Sequence, residues 1–191
     1  MSKWLNIEQN TPEWLNCRSG LFTSSNIYNL FVSAKKGEEF SKSAHTYIKQ
    51  KAIETIYPFE IDNSFSGKAI QWGNDNEPNA VTVYEVTTGN EVTNGGFFIY
   101  DDYTGSSPDG LVDTDGQIEI KCPYVKVHHQ LYCSGRSYVD FMSFDPRLLS
   151  SKNFLHVIRI ERNQELMEQM SEVIYKAGKE KDKIIEQFLN R

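Results

Sequence analysis

SPDGLVDTDGQIEIKCP, the stretch from Ser107 to Pro123, holds one acid at Asp109 and a second at Glu119, followed by Ile120 and Lys121. From position 117 to position 122 the residues alternate between polar and apolar, which is the period of a β-strand. Successive side chains of a strand point to opposite faces, so Glu119 and Lys121 are expected to lie side by side while the isoleucines face the core.

A turn is predicted inside the same stretch, because Asp113, Asp115 and Gly116 are residue types that favour tight turns. Such a turn folds the chain back and can bring Asp109 beside Glu119. Two carboxylates and an amine suit Mg²⁺, which prefers oxygen ligands, and a lysine can orient or deprotonate a water molecule beside it. The alternative is a common surface hairpin whose Glu-x-Lys pair is simply solvated.

The length and composition predict one domain over residues 1–191. A hydrophobic content of 39% suits a globular protein, no apolar run is long enough to span a bilayer, and the first residues do not read as a signal peptide. Three cysteines without zinc spacing are expected to be reduced thiols in a cytosol.

The charge is unevenly distributed along the chain. The net charge of −6 argues against a protein that coats DNA through general basicity. Residues 61–119 contain eleven acids and a single base, Lys68, whereas the flanks together carry a charge of +4. A metal site is therefore expected in the acidic third and phosphate contacts in the outer thirds, although an acidic solvated face would give the same count.

Helix signals are clear in the first part of the chain. Thr11 is expected to cap a short helix that starts at Pro12 and stops near Gly20. A third helix is predicted to end before Pro58.

Two other helices bear on candidate site residues. Ser24 or Ser25 can cap the second helix. The fourth should run from about position 68 to position 88, and Pro78 predicts a break that leaves Glu77 at a helix N-terminus. An acid at the positive end of a helix has a purely structural explanation too.

Strands are predicted at Glu91–Tyr100, Thr104–Ser107, Gln117–Cys122, Ser137–Phe144 and Asn153–Glu161. A long amphipathic helix follows from position 164 to position 189, with apolar residues at helical spacing. The order predicts an α/β (α+β) fold, a mixed sheet of about five strands flanked by helices.

Several motifs in the same order resemble one known family. Pro108-Asp109 followed by Glu119-Ile120-Lys121 resembles the PD-(D/E)xK nuclease signature. TPEWLNCRSGLFTSS, GNDNEPNA, SPDG, IEIKCP and FDPR together resemble the lambda exonuclease and YqaJ-like phage recombinases of that superfamily. The resemblance covers nearly the whole chain and implies a restriction-endonuclease-like fold.

The resemblance implies a role for each residue of a metal centre. Asp109 and Glu119 correspond to the metal ligands, joined by the backbone carbonyl of Ile120. Lys121 corresponds to the catalytic lysine, and Glu77 to a helix glutamate that reaches the metal through water. The implied metal is Mg²⁺, with Mn²⁺ as a substitute.

The resemblance also implies a pocket for the 5′-terminal phosphate, formed by Arg18, Ser25 and Ser107. An arginine fork with hydroxyl donors recognises a phosphate dianion well. Without the resemblance, Arg18 would be interpreted as a surface arginine and Ser25 or Ser24 as a helix cap.

The activity implied by the resemblance is 5′→3′ exonuclease digestion of linear double-stranded DNA that leaves 3′ single-stranded tails. It implies a single-strand annealing protein as partner, a ring of three subunits, and a phage or prophage protein acting in the bacterial cytoplasm. Two alternatives remain: a catalytically weakened module that binds DNA ends or a protein partner, and a structure-specific or restriction-type endonuclease.

One segment departs from the family pattern. Between Cys122 and Arg136 the chain is shorter than in the family, so a stunted crossover helix is expected, or else a missing loop near His128 and His129. The family glutamine near the scissile phosphate falls at about His128. A metal site on the two histidines is not expected, because adjacent side chains diverge and no third ligand is spaced to join them.

Overall fold

The computed structural model describes residues 2–58, 68–120, 124–148 and 154–190. Lys121, Cys122 and the first predicted residue of the last strand, Asn153, lie outside the described residues.

The elements follow one another as helices, a run of short strands, a crossover helix, two long strands and a final helix. In chain order they are β1 (Lys3–Leu5), α1 (Pro12–Arg18), β2 (Phe22–Thr23), a 3₁₀ helix (Ile27–Phe31), α2 (Lys42–Ile56), α3 (Lys68–Thr88), β3 (Val92–Asn94), β4 (Phe97–Ile99), β5 (Thr104–Ser106), β6 (Gly110–Val112), β7 (Gly116–Ile120), α4 (Tyr124–Ser134), β8 (Tyr138–Phe144), a second 3₁₀ helix (Pro146–Leu148), β9 (Leu155–Glu161) and α5 (Gln164–Leu189).

The strands form two sheets. One has five strands in the order β3-β6-β7-β8-β9, and the other has four in the order β1-β4-β5-β2. In the larger sheet β7 and β8 are parallel and are joined by α4, while the other neighbouring pairs are antiparallel. The mixed α/β class and a sheet of five strands are confirmed. The predicted strand at Thr104–Ser107 is β5 of the smaller sheet, however, and neither this second sheet nor β6 was predicted.

The predicted strand Glu91–Tyr100 is two strands that belong to different sheets. β3 pairs with β6, and β4 pairs with β1 and β5. The chain crosses between the sheets at Gly95 and Gly96. A Cβ on Gly95 would overlap the Pro108 carbonyl oxygen, and Gly96 has a φ of 61°, a conformation in which glycine is not strained.

Pro78 does not break the helix that contains it, so the predicted helix N-terminus at Glu77 is wrong. α3 continues through the proline to Thr88. The lost backbone hydrogen bond is offset by packing, since Ala80 and Tyr84 in the following turns are buried. Glu77 therefore projects from the middle of a helix.

The remaining helix predictions are largely confirmed. Thr11 caps α1, its hydroxyl accepting a hydrogen bond from the Trp14 N–H, and Pro12 is the first helical residue. The second predicted helix is instead a single 3₁₀ segment with Asn26 at its N-cap, so the prediction that Ser24 or Ser25 caps it is wrong. α5 has the predicted bounds and packs its apolar face against α2 and α4. Among the described helices, none is both long enough and apolar enough to cross a membrane.

Three clusters of buried side chains form the core. The largest joins α2, α4 and α5 to the smaller sheet and includes Phe22, Ile48, Phe98 and Ile174. A second lies between α3 and the larger sheet around Ile118, and a third lies between α4 and β8. The larger sheet is thus covered by helices, and its central strand β7 is buried along most of its length.

Candidate active site

A hairpin brings the two predicted carboxylates together. β6 and β7 pair antiparallel, with Gly110 opposite Ile118, and Asp113 takes the positive φ of 46° that the turn requires. The Asp109 carboxylate accepts a hydrogen bond of 2.7 Å from the backbone N–H of Ile120, one residue beyond Glu119. The predicted turn and the predicted approach of the two acids are both present.

Glu119 is fully buried, and α4 supplies the groups that hold it. The Lys126 ammonium forms an ion pair with Oε1 of Glu119, and the Gln130 amide donates to Oε2. Gln130 also donates to the Ser107 carbonyl oxygen at 3.2 Å. Lys126 and Gln130 are four residues apart, so they lie on one face of the helix.

Neither Lys126 nor Gln130 was identified from the sequence. The correspondence of the family glutamine to His128 stays a prediction, and in the structure the glutamine that reaches the Glu119 carboxylate is Gln130. The signal from which they could have been identified is their i, i+4 spacing shortly after the IEIKCP motif. His128 and His129 are consecutive residues of the eleven-residue helix α4. A crossover helix is thus present between β7 and β8, and the shortening relative to the family stays a prediction.

Glu77 of α3 joins the two hairpin acids in what we call the carboxylate cluster, which is Glu77, Asp109 and Glu119. Burial and the negative charge of Asp109 raise the pKa of Glu77 to about 7, against the opposing effect of Lys126. Burial and the charge of Glu119 likewise raise the pKa of Asp109 well above its usual value. Carboxylates that raise one another's pKa in this way destabilise one another unless a cation compensates their charge.

The cluster has the donor set that suits a divalent cation. All three side chains offer oxygen ligands, and Lys126 already provides a positive charge at Glu119, where a metal ion would provide a larger one. In the described ranges no three His, Cys, Asp or Glu side chains stand ready as a complete metal cage. In this structure the two carboxylate oxygens of Glu119 interact with Lys126 and Gln130 instead.

A small cavity of about 80 Å³ adjoins the carboxylate cluster, and we call it the terminal-phosphate pocket. It brings together the residues predicted for the 5′-phosphate with one of the predicted metal ligands. Its lining includes Arg18, Ser25, Ser107 and Asp109, together with Lys126. The structure therefore brings Arg18, Ser25 and Ser107 to one pocket, as the sequence analysis expected.

Arg18 is held at the pocket by stacking. Its guanidinium carbon lies 3.8 Å from the centroid of the Trp14 ring, and the Trp14 N–H donates to the Ser107 hydroxyl at 2.9 Å. Ser107 in turn donates its own hydrogen to the Gly96 carbonyl oxygen. Ser107 thus anchors Trp14, and Trp14 supports the planar face of Arg18.

Hydrogen bonding distinguishes Ser24 from Ser25. The Thr104 hydroxyl has one hydrogen, which it donates to the Phe22 carbonyl oxygen at 2.7 Å, so it accepts from Nε2 of His129 at 2.8 Å. Nδ1 of His129 is then the acceptor for the Ser24 hydroxyl at 2.7 Å. Ser24 has no hydrogen left for a phosphate, whereas Ser25 is exposed to the pocket.

His129 is a structural residue of this network. It is fully buried, and burial lowers its pKa to about 3, which keeps the ring neutral. Both ring nitrogens are engaged by hydroxyl groups, so His129 offers no lone pair to a metal. The expectation that the two histidines are not a metal pair agrees with this geometry.

One family of known proteins is similar to this chain over much of its length. The model of the YqaJ-like viral recombinase domain family matches residues 13–139. No curated protein sequence matches the chain.

Solved structures superpose over almost the entire chain. The alkaline exonuclease LHK-Exo from Laribacter hongkongensis is 27% identical with a TM-score of 0.80, over 94% of this chain and 97% of that chain. LHK-Exo in complex with dAMP gives 28% identity and a TM-score of 0.81, over 93% and 96%. A phage related exonuclease from Haemophilus somnus 129PT superposes with a TM-score of 0.69 over 91% and 99%, but its 16% identity supports the shared fold alone.

Proposed function

Because the chain belongs to the YqaJ-like viral recombinase domain family, we propose that it is a Mg²⁺-dependent exonuclease that digests linear double-stranded DNA from 5′ to 3′ and leaves 3′ single-stranded tails. The relative LHK-Exo is an exonuclease, and its complex contains dAMP, a mononucleotide of the kind that such a reaction releases. Mn²⁺ is expected to replace Mg²⁺.

The terminal-phosphate pocket is the observation that carries the proposal. Its volume of about 80 Å³ suits a phosphate group and excludes a continuous duplex. Asp109, Arg18 and Ser25 are all among its lining residues. A pocket of this size beside a metal-binding carboxylate favours the end of a strand over an internal position, which supports an exonuclease.

The carboxylate cluster would hold the cation through Asp109, Glu119 and the backbone carbonyl of Ile120, with Glu77 acting through water. When bound, such a cation supplies Lewis acidity for the hydrolysis of a phosphodiester. Lys121 would orient the attacking water and receive its proton. Gln130 keeps the buried Glu119 carboxylate in place while Lys126 neutralises it in the absence of metal.

The DNA end would be held by Arg18 and Ser25. Stacking on Trp14 presents the edge of the guanidinium, which can donate two parallel hydrogen bonds to a phosphate. Ser107 contributes by fixing Trp14, and its hydroxyl lines the same pocket. The proposal therefore predicts a preference for 5′-phosphorylated ends.

The proposed setting is phage-type recombination in the bacterial cytoplasm, with a single-strand annealing protein as partner and a homo-oligomer, by resemblance a trimeric ring. A ring holds its substrate by topology, so tight contacts to many phosphates are not required. The net charge of −6 is compatible with such a design.

The test is digestion of end-labelled linear duplex and of closed circular duplex with Mg²⁺, comparing the wild type with Asp109→Asn and Lys121→Ala. We expect the wild type to release the 5′ label from linear DNA as mononucleotide and to leave circles intact. Both variants should bind ends but digest at a rate lower by about 10³-fold.

The other outcomes would replace the proposal. Cleavage of closed circles identifies an endonuclease, and binding of ends without digestion by the wild type identifies a binding module. Release of the 3′ label first would reverse the proposed polarity.

A further inference from the structure

Gln9 lines the terminal-phosphate pocket together with Asp109, and the proposed hydrolysis gives it no part. It lies in the segment between β1 and α1. Its amide nitrogen donates a hydrogen bond of 2.8 Å to the carbonyl oxygen of Pro108, 99 residues away in sequence. A side chain near the N-terminus is thereby bound to the peptide that precedes a predicted metal ligand.

The segment that carries Gln9 is fixed on both sides of this residue. Before it, the Asn94 amide of β3 donates to the side-chain oxygen of Asn6 at 2.8 Å. After it, Asn10 adopts a φ of 65°, a left-handed conformation that asparagine tolerates, and Thr11 caps α1. The segment therefore presents Gln9 to Pro108 from a fixed backbone.

The hydrogen bond from Gln9 restrains the one backbone angle of Pro108 that its covalent structure leaves free. The pyrrolidine ring sets φ of Pro108, and the peptide bond to Asp109 is planar and trans. Rotation about ψ of Pro108 would swing its carbonyl oxygen away from the Gln9 amide. Because that oxygen and the Asp109 N–H lie on opposite edges of one peptide plane, holding the oxygen also fixes the direction of the N–H.

Two further hydrogen bonds continue from that plane to the carboxylate. The Asp109 N–H donates to the Ile118 carbonyl oxygen at 3.2 Å, and the Asp109 carboxylate accepts from the Ile120 N–H at 2.7 Å. Gln9 thus holds the peptide plane before Asp109, while β7 holds its backbone nitrogen and its carboxylate. Groups that bind a metal ion must be held to within about 0.5 Å, which requires such support from residues around them.

A second glutamine makes a similar contact one residue earlier. The Gln130 amide of α4 donates to the Ser107 carbonyl oxygen at 3.2 Å, and it also donates to the Glu119 carboxylate. Amides from two distant elements therefore bind successive carbonyl oxygens immediately before Asp109. Gln130 supports one predicted metal ligand directly, and Gln9 supports the other through the backbone.

We propose that Gln9 is a positioning residue of the metal centre, which holds Asp109 in the orientation that a divalent cation requires. It acts through the Pro108 peptide, and no contact between Gln9 and the cation is involved. The cation site itself rests on the proposed function, whereas the hydrogen bond from Gln9 to Pro108 does not.

The alternative is a purely structural part, in which Gln9 only anchors the N-terminal segment. Two substitutions remove the contact in different ways. Gln9→Met keeps the length of the side chain and removes the donor, and Gln9→Asn keeps the amide but is one methylene too short to reach the Pro108 oxygen. A structural anchor would change the melting temperature and leave metal affinity as it is.

The first experiment measures metal binding without DNA. Mn²⁺ is titrated into the full chain, and bound ion is determined from the loss of the electron paramagnetic resonance signal of free Mn²⁺. Asp109→Asn marks the part of the binding that belongs to the carboxylate cluster. We expect both Gln9 variants to raise the dissociation constant for Mn²⁺ by about tenfold, the size typical for loss of a group that orients a metal ligand. Unchanged affinity in both variants would overturn the inference, and so would wild-type binding that does not depend on Asp109.

Asn6→Ala is the matched control, because it removes another hydrogen bond of the same segment and leaves the Gln9 amide in place. In EDTA, the melting temperatures of Asn6→Ala and Gln9→Met should each fall by at most about 4 °C, the shift expected for one hydrogen bond in a chain of this length. The Mn²⁺ affinity of Asn6→Ala should stay within about twofold of the wild type. If it weakened as much as in Gln9→Met, loosening of the segment would explain both results and the inference would fail.

The second experiment measures the digestion rate against Mg²⁺ concentration. Gln9→Met should raise the Mg²⁺ concentration at half-maximal rate by about tenfold and leave the rate at saturating Mg²⁺ within about threefold. The preference for 5′-phosphorylated over 5′-hydroxyl ends should match the wild type, because Arg18 and Ser25 are retained. A weaker preference with an unchanged Mg²⁺ requirement would assign Gln9 to the DNA end and overturn the inference.

The two possible failures give different results. A protein that binds Mn²⁺ through Asp109, with an affinity that depends on Gln9, but digests no DNA would reject the nuclease and keep the positioning role. An active nuclease whose Gln9 variants bind Mn²⁺ as the wild type does would keep the proposed function and reject that role.

Discussion

The carboxylate cluster and the group formed by Arg18, Lys51 and Glu54 on α1 and α2 differ in charge and in how that charge is balanced. On one side of the terminal-phosphate pocket, three acids share Lys126, and on the other, Arg18 and Lys51 share Glu54. Counted over the described residues, each side holds an excess of one sign. Groups that serve only stability are normally paired, so an excess of charge points to an absent ligand of opposite sign.

The two sides also differ in what supports them. The acids sit on a hairpin inside a five-stranded sheet, with α3 and α4 on its faces. The bases sit on α1 and α2, beside a smaller sheet of strands two or three residues long. A cation site requires fixed oxygen positions, which a sheet interior supplies, whereas phosphate recognition tolerates longer side chains on helices.

The largest effect is expected from Asp109→Asn, which removes a charge from the acidic side. Digestion should fall by about 10³-fold, since the variant loses several kcal/mol of transition-state stabilisation. The melting temperature in EDTA should not fall, because the asparagine oxygen can still accept from the Ile120 N–H while the repulsion from Glu119 disappears. Initial rates and thermal unfolding are measured on the same preparation.

Asp113→Asn is the matched control for that change, because Asp113 is an exposed acid of the same hairpin turn. It should retain wild-type activity. If the melting temperature of Asp109→Asn fell by several degrees with EDTA present, the Asp109 charge would stabilise the fold. The acidic side would then no longer differ from a group of balanced charges.

A smaller effect is expected on the basic side from Arg18→Lys. Lysine keeps the charge but loses the planar fork and the stack on Trp14. The ratio of the digestion rate on 5′-phosphorylated ends to the rate on 5′-hydroxyl ends should fall by roughly 10–100-fold, because one or two charge-assisted hydrogen bonds to the phosphate are lost. The hydroxyl end is the internal control, and an unchanged ratio would remove Arg18 from phosphate recognition.

The hairpin that carries Asp109 and Glu119 could be predicted from the sequence because its information is local. Alternation from Gln117 onward, turn residues at Asp113 and Gly116, and the spacing of the two acids all lie within one stretch. The same is true of α5, whose apolar stripe is continuous over seven turns. The family assignment could be made from the sequence because several motifs occur in the family's order. It is confirmed by the family model that matches residues 13–139.

The basic side could not be predicted in the same way, because it depends on contacts between distant segments. β2 has two residues and β1 three, too few for a periodic pattern. Lys51 and Glu54 resemble an ordinary i, i+3 surface pair, and only the fold buries both. The assignment of Lys121 as the catalytic lysine stays a prediction.

Lys126→Met tests whether the acidic side is balanced by a lysine that a metal ion would displace. Without metal, the buried Glu119 would lose a charged partner, and we expect the free energy of unfolding to fall by about 1–3 kcal/mol. Added Mg²⁺ should restore the melting temperature, and the Mg²⁺ concentration at half effect should be lower than for the wild type because the competing ammonium is gone. A higher Mg²⁺ requirement would show that Lys126 assists the metal site instead of competing with it.

The smallest effect on activity is expected at Asp140, a buried acid of β8 whose charge is fully matched. Asp140 accepts from Tyr84 at 2.6 Å and from two Arg159 nitrogens at 2.8 Å. Burial by itself would raise its pKa, but these hydrogen bonds outweigh burial and hold the pKa below its usual value, the reverse of Asp109. Asp140→Asn should therefore leave digestion unchanged and lower the free energy of unfolding by about 2 kcal/mol at neutral pH.

The sign of the pH dependence distinguishes this paired acid from the carboxylate cluster. Because the folded pKa of Asp140 is lower than the unfolded value, its stabilisation is present above about pH 4 and is lost as the pH falls through the folded pKa. The difference in unfolding free energy between wild type and Asp140→Asn should shrink between pH 7 and about pH 3 in urea titrations. A difference that stays constant would mean that the asparagine acts through packing, and Asp140 could then no longer serve as the reference against which the carboxylate cluster is judged.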